Sequence, residues 1–262
     1  MGRFGKPLCN GGFRRHRGSF APARAAEVVS SNVVGYSKLT MKADGYTLIA
    51  NPFGEVGTGD VIGINEMFAE DTTAATAGTS VSDADSLEVW TGTGYKTYYL
   101  RADATAGNHW RKSGERKATT DEIPEGDGAF FHNVADHAVT LTISGEVSPA
   151  DSVYTVYPGY NLMANPFPTS LSFRNFVVDG ATAGTSVSDA DSIEVWTGNG
   201  YKTYYLRADA TAGNHWRKSG ERKETTDTID PYTGFFYHCI ATEGSFNVTI
   251  PSPLSSGSSG QD

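Results

Sequence analysis

The chain has 262 residues, of which 38% are hydrophobic and 11% aromatic, and its formal net charge is −9. This composition can bury a hydrophobic core and is not that of a disordered chain. No apolar run reaches the roughly 18 residues that a membrane-spanning helix needs. The acidic balance disfavours binding of the folded part to nucleic acid.

The first 25 residues differ from the rest of the chain in charge. They hold six of the 21 basic residues and no acidic one, so the remainder carries 15 basic against 30 acidic side chains. Ala23, Arg24 and Ala25 resemble a signal-peptide cleavage site, but the apolar segment of a standard signal is missing. We expect residues 1–25 to form a basic leader that is disordered or processed, in a secreted or cell-surface protein.

Most of the remaining chain is a duplication. Residues 75–123 align without gaps to residues 181–229. The two blocks differ only at the pairs Leu87/Ile193, Thr93/Asn199, Ala118/Glu224 and Glu122/Thr228. A repeat of this length indicates a duplicated domain rather than a solenoid unit. We therefore predict β repeat domains over 26–147 and 148–253, followed by a flexible Ser/Gly tail over 254–262.

Shorter motifs flank the near-identical block in the same order in both copies. GYTLIANPF at 45–53 precedes the first block, and GYNLMANPF at 159–167 precedes the second. After the blocks, GAFFHNVA at 128–135 corresponds to GFFYHCIA at 234–241. ISGEV at 143–147 leads into the second copy with almost no linker, so we expect the two domains to pack closely.

The periodicity within both copies is that of β-strands. Apolar residues alternate with threonine in VTLTI at 139–143, and FNVTI at 246–250 repeats the pattern. SLEVW and YKTYYL flank a TGTG turn, and the Asn-Gly pair of the second copy favours a type I′ hairpin turn. Only 61–70 and 171–179 could form about two helical turns each. These patterns predict an all-β chain of two tandem homologous antiparallel β-sandwich-like domains.

These motifs resemble a repeat module of exported bacterial proteins. That module opens with GWNLIxxP, continues with VWxGxxY and closes with PGxGFWV. Here GYNLMANPFP, VWTGNGYKTYYL and GFFYH occupy those places, while PEGDGAFF and DPYTGFF depart from the closing turn. The resemblance covers about 45–143 and 159–250. It implies a secreted or surface β-sandwich-like module that is usually non-catalytic, and it supplies no catalytic residues.

Residues that could carry chemistry form no recognisable catalytic or metal-binding pattern. The sequence contains no GxSxG, HExxH or CxxC motif. The carboxylates of SDADS at 82–86 and 188–192 lack the Gly and the bidentate Glu of a calcium loop. Cys9 and Cys239 could form one disulfide or remain free thiols. We predict no enzyme activity, no metal and no cofactor.

The aromatic residues are the strongest functional lead. An exposed aromatic strip could stack on sugar rings or on another protein chain; the alternative is that it fills the core or the seam between the copies. We expect a non-enzymatic structural or adhesive protein that binds copies of itself, or alternatively a carbohydrate-binding module for surface glycans. The candidate ligand-binding residues are Trp90, Tyr98, Trp110, Trp196, Tyr204 and Trp216.

Overall fold

A computed structural model of the chain describes residues 33–54, 61–69, 74–124 and 126–253. The predicted leader and Ser/Gly tail lie outside these residues. In the first copy the elements are β1 (Val33–Met41), β2 (Gly45–Ala50), α1 (Ile64–Met67), β3 (Ser86–Trp90), β4 (Tyr95–Arg101), β5 (His109–Lys112), β6 (Gly128–Asn133) and β7 (Val139–Val147). In the second they are β8 (Ser152–Val156), β9 (Gly159–Ala164), β10 (Leu171–Ser172), β11 (Val177–Val178), β12 (Ser192–Trp196), β13 (Tyr201–Arg207), β14 (His215–Lys218), β15 (Thr228–Ile229), β16 (Gly234–Cys239) and β17 (Phe246–Ile250).

The two copies have the same strand topology. The first contains a five-stranded antiparallel sheet in the order β2-β6-β3-β4-β5, and the second has the matching order β9-β16-β12-β13-β14. The first and last long strands of each copy pair separately, β1 with β7 and β8 with β17, and β11 extends the second pair. Each copy is therefore a sandwich-like domain of two main antiparallel sheets, to which the second copy adds a short pair of β10 and β15. This architecture confirms the predicted fold class.

Each sandwich buries one face of its five-stranded sheet beneath the smaller sheet. On β7, Val139, Leu141 and Ile143 point into the core, whereas Thr140 is exposed. The same alternation selects Leu87 on β3 as a core residue. This period-two burial is what the alternating sequence predicted. The second domain has its own core, built around Ile193, Tyr204, Trp216, Phe235, Tyr237, Val248 and Ile250.

The ANPF motif of both copies stabilises the loop that follows the second strand. Asn51 is buried; its amide donates to the carbonyl oxygen of Ile123 at 2.6 Å, and its side-chain oxygen accepts from the Phe53 amide at 3.1 Å. Asn165 makes the equivalent bond to the Phe167 amide at 3.2 Å. An asparagine suits this position because its side chain both donates to and accepts from loop backbone.

Three local predictions need correction or restriction. In the second TGNG turn Gly198 has a positive φ (89°) and Asn199 does not, so the turn is not the predicted type I′, which needs a positive φ at both central residues. The helical prediction for 61–70 reduces to α1, and that for 171–179 to one 3₁₀ turn between short strands. Cys239 is a buried free thiol, and Cys9 lies outside the described residues.

Within the described part of the chain, no helix is both long and apolar enough to span a membrane.

Candidate functional site at the seam between the domains

The two five-stranded sheets meet through their outer faces, along a surface that we call the seam. Phe130 on β6 and its counterpart Phe236 on β16 lie there with ring centroids 6.0 Å apart. A Cβ on Gly128 would lie 3.1 Å from Leu162 Cγ, and in the other direction a Cβ on Gly234 would lie 2.7 Å from Leu48 Cγ. Because both contacts join equivalent positions, the seam has approximate twofold symmetry, and glycine is needed for the close approach.

Hydrogen bonds across the seam hold the two domains together. The Ala50 amide donates to the Tyr232 carbonyl oxygen at 3.0 Å. The indole nitrogen of Trp196 donates to the carbonyl oxygen of Tyr46 at 3.2 Å. The Tyr154 hydroxyl, from the second domain, donates to the carbonyl oxygen of Gly126 in the first at 2.9 Å. These bonds join backbone and side chains from both copies, so the seam is part of the folded structure.

The structure separates the six predicted ligand-binding residues into two groups. Tyr98, Trp110, Tyr204 and Trp216 are 2%, 0%, 2% and 4% exposed and belong to the two cores. They lie on the covered face of their sheets, so they cannot stack on a ligand from solvent, and we remove them from the candidate site. Trp90 and Trp196 are half-buried on the opposite face.

One side of the seam contains a small hollow, which we call the aromatic hollow, of about 270 Å³. It is lined by Tyr46, Glu88, Tyr95 and Phe130 of the first domain and by Trp196 of the second. Tyr46 and Tyr95 each pack edge-on against Phe130, with centroids 6.2 Å away, and both remain partly exposed. Burial raises the pKa of Tyr95, and the nearby Glu88 carboxylate raises it further. The Tyr95 hydroxyl therefore stays protonated at neutral pH.

A larger hollow of about 630 Å³, which we call the seam groove, lies between the β3–β4 hairpin of the first domain and β8–β9 of the second. Its aromatic lining residues include Trp90, Tyr157 and Tyr160. Asp127 also lines the groove, and burial raises its pKa to about 6. Other polar residues along it are Thr93, Ser148, Asp151, Ser152, Thr155 and Asn161.

The duplicated hairpins make different contacts at the two ends of the seam. In the second copy, the hairpin turn accepts two hydrogen bonds from Lys42 Nζ, at 2.8 Å to the Gly198 carbonyl oxygen and 2.9 Å to Asn199 Oδ1. In the first copy the equivalent turn carries Thr93 in place of Asn199 and lines the groove beside Tyr157. The Lys42 side chain therefore bridges the seam at the hairpin of the second copy, whereas the hairpin of the first copy borders the open groove.

The SDADS carboxylates, which were weighed as calcium ligands, stabilise loops instead. Asp83 accepts hydrogen bonds from the hydroxyl and amide of Ser80, and these bonds hold the pKa of its carboxyl well below the usual range. Asp85 accepts from the amides of Thr76 and Val134, both at 2.9 Å. In the described ranges, no group of three or more His, Cys, Asp or Glu side chains is arranged to hold a metal ion.

Sequence reasoning missed several residues of the seam. Tyr46 and Tyr160 lie in the two GY motifs and were not among the predicted ligand-binding residues, and each stacks on a histidine with ring centroids 4.3 Å apart. Asp127 was missed as well, although it is a position where the copies differ, with Thr233 as its counterpart. Divergence between otherwise similar copies was the signal that could have indicated it.

A comparison with models of known protein families finds no match for the chain, and comparisons with curated proteins and with solved structures find none either.

Proposed function

We propose that the chain is a non-enzymatic structural and adhesive β protein, secreted or displayed at a cell surface, that binds glycans along the seam. One observation carries this proposal: half-exposed Trp and Tyr rings line two hollows together with carboxylate, hydroxyl and amide groups. A sugar ring has an apolar C–H face bordered by hydroxyls. Trp and Tyr offer rigid apolar area to such a face, and neighbouring polar groups fix its orientation.

The size and continuity of the aromatic surface support a chain-like ligand. The seam groove, at about 630 Å³, falls within the roughly 300–1,000 Å³ of small-molecule sites. The aromatic hollow, at about 270 Å³, is just below it. Tyr95 of the first domain packs on Phe130 and Tyr201 of the second packs on Phe236, with ring centroids 6.2 and 6.1 Å apart, and Phe130 and Phe236 adjoin each other across the seam, so aromatic rings of both domains form one continuous surface. An oligosaccharide fits this arrangement better than a single sugar.

Substitution of the seam tryptophans tests this function. We expect wild-type protein to bind a subset of oligosaccharides on a glycan array, and Trp90→Ala or Trp196→Ala to weaken that binding by about tenfold or more, since buried aromatic anchors dominate such interfaces. Tyr36→Ala is the matched control, because Tyr36 is 72% exposed on the outer face of β1 in the other sheet. The proposal is refuted if the wild type binds no glycan on the array. It is also refuted if Tyr36→Ala weakens glycan binding while Trp90→Ala and Trp196→Ala do not.

Self-assembly is a second candidate, favoured by apolar residues on the outer face of the smaller sheets. Val34 and Tyr36 on β1 are 58% and 72% exposed, and Val153 on β8 is 59% exposed. Exposed apolar residues on sheet surfaces can mark contacts with other chains. If the protein assembles through these faces, mass photometry will show oligomers that Val34→Thr with Tyr36→Thr converts to monomers. A monomeric wild type over the accessible concentration range eliminates this candidate.

A further inference from the structure

We propose that the seam groove binds a saccharide carrying a free amino group, and that the Asp127 carboxylate contacts the ammonium. The inference rests on the proposed glycan-binding function and specifies its ligand class. It depends on three features of the groove: an acidic side chain without a protein partner, a difference between the duplicated copies, and the absence of basic residues from its described lining.

Asp127 is the unusual group in the groove. It lies in the connection before β6, where its backbone carbonyl accepts from the Asn51 amide at 3.0 Å. No described residue donates a hydrogen bond to its carboxylate, and burial is the one cause that acts on its pKa. A partly buried carboxylate without a partner is unfavourable, and an ammonium that enters the groove would supply both the charge and the donors that it lacks.

The position of Asp127 is occupied by an uncharged residue in the second copy. Thr233, the counterpart of Asp127, is uncharged, and its hydroxyl donates to the carbonyl oxygen of Pro231 at 3.3 Å. The indole nitrogens differ in the same way. Trp196 Nε1 donates to a backbone carbonyl across the seam, whereas Trp90 Nε1 is buried with no partner in the described structure. At the groove end of the seam, the Asp127 carboxylate and the Trp90 indole nitrogen both lack, among the described residues, the partner that their counterparts' positions have in the second copy.

The other lining groups favour an amino sugar over an anionic ligand. The charged residues among the described lining are Asp127 and Asp151, with no Lys or Arg. The Asp151 carboxylate already accepts from the Ser252 amide at 2.8 Å. Like charges repel, so phosphates and uronic acids are disfavoured, whereas a cationic ligand is attracted. Tyr157 and Tyr160, both exposed, supply rings for the sugar face.

Calorimetric titration of two matched oligosaccharides tests the inference. The probes are a β-1,4-linked glucosamine trimer and its fully N-acetylated form, titrated into the full chain near neutral pH. We expect the amine form to bind about tenfold more tightly or better, the usual gain from a hydrogen bond to a charged group. Asp127→Asn should abolish this preference, so that the amine and acetylated trimers bind with equal affinity. Asp127→Thr, which copies Thr233, should behave the same way.

Asp136→Asn is the charge-matched control, because Asp136 is fully exposed in the β6–β7 turn, and it should keep the preference. Equal affinities of the wild type for both trimers, or a preference that survives in Asp127→Asn, would overturn the inference while glycan binding by the seam tryptophans stands. Loss of all oligosaccharide binding by wild-type protein would overturn both. A short peptide with blocked termini and a single lysine serves as a further probe. If it binds as tightly as the amine trimer, the groove is a basic-peptide site and the inference is wrong.

Discussion

Replacing Asp127 by asparagine should make the protein more stable at neutral pH and leave it nearly unchanged in acid. Burial raises the pKa of Asp127 from 3.8 to about 6 in the folded state. The folded protein thus binds this proton more tightly than the unfolded chain does. The stability from this group is fully present below about pH 4 and is lost as the pH rises through about 6.

The size of the effect follows from that shift. Two pKa units correspond to about 3 kcal/mol, at 1.36 kcal/mol per unit. Part of the side chain contacts solvent, which screens its charge, so we expect a difference of roughly 1–3 kcal/mol between Asp127→Asn and the wild type above pH 7. Asp85 also has a raised pKa, from burial first, but it is present in both proteins and cancels in the comparison.

Urea unfolding of both proteins, followed by tryptophan fluorescence at several pH values between about 4 and 8, measures this difference. Asp136→Asn removes the same charge from an exposed turn and should track the wild type at every pH. A gap between Asp127→Asn and the wild type that stays constant across the range would refute the reasoning. So would a wild type that is the more stable of the two above pH 7, because the carboxylate would then have a favourable partner.

Two further substitutions test the seam and the loop. Gly126→Ala should cost about 1–3 kcal/mol more than Gly244→Ala in denaturant unfolding: both glycines have φ near 85°, but only at Gly126 would a Cβ overlap the Tyr154 hydroxyl. Equal costs would show that Tyr154 does not pack there. Asn51→Ala should cost about 1–3 kcal/mol, because it leaves buried loop backbone groups without partners. A loss below about 0.5 kcal/mol would mean that the motif does not stabilise the loop.

The fold class could be predicted because its signals are local. Alternation along VTLTI places Val139, Leu141 and Ile143 on one face whatever they pack against, since the side-chain period of a strand is two. The duplication then requires that near-identical blocks adopt the same topology, as β3–β5 and β12–β14 do. The type of turn was less predictable. The TGNG hairpin of the second copy contains Gly198 and Gly200, and the positive φ falls on Gly198.

The candidate site was only partly predictable, and the tryptophans show why. Trp90 and Trp110 both lie on strands of the same sheet, and the sequence assigns each of them to a face. It does not say which face the smaller sheet covers and which meets the other domain. Trp110 is on the covered face and fills the core, whereas Trp90 borders the groove. Only packing over long sequence distances makes that distinction.

The sequence by itself therefore determined that the chain forms strands and that two similar units follow one another, because strand periodicity and repetition are properties of neighbouring residues. Tertiary structure decided that the outer faces of the two large sheets pack together. It also placed Asp127 beside a groove formed partly by the other domain. The environment of that carboxylate, and with it the chemistry that the groove can offer, comes from residues distant in the chain.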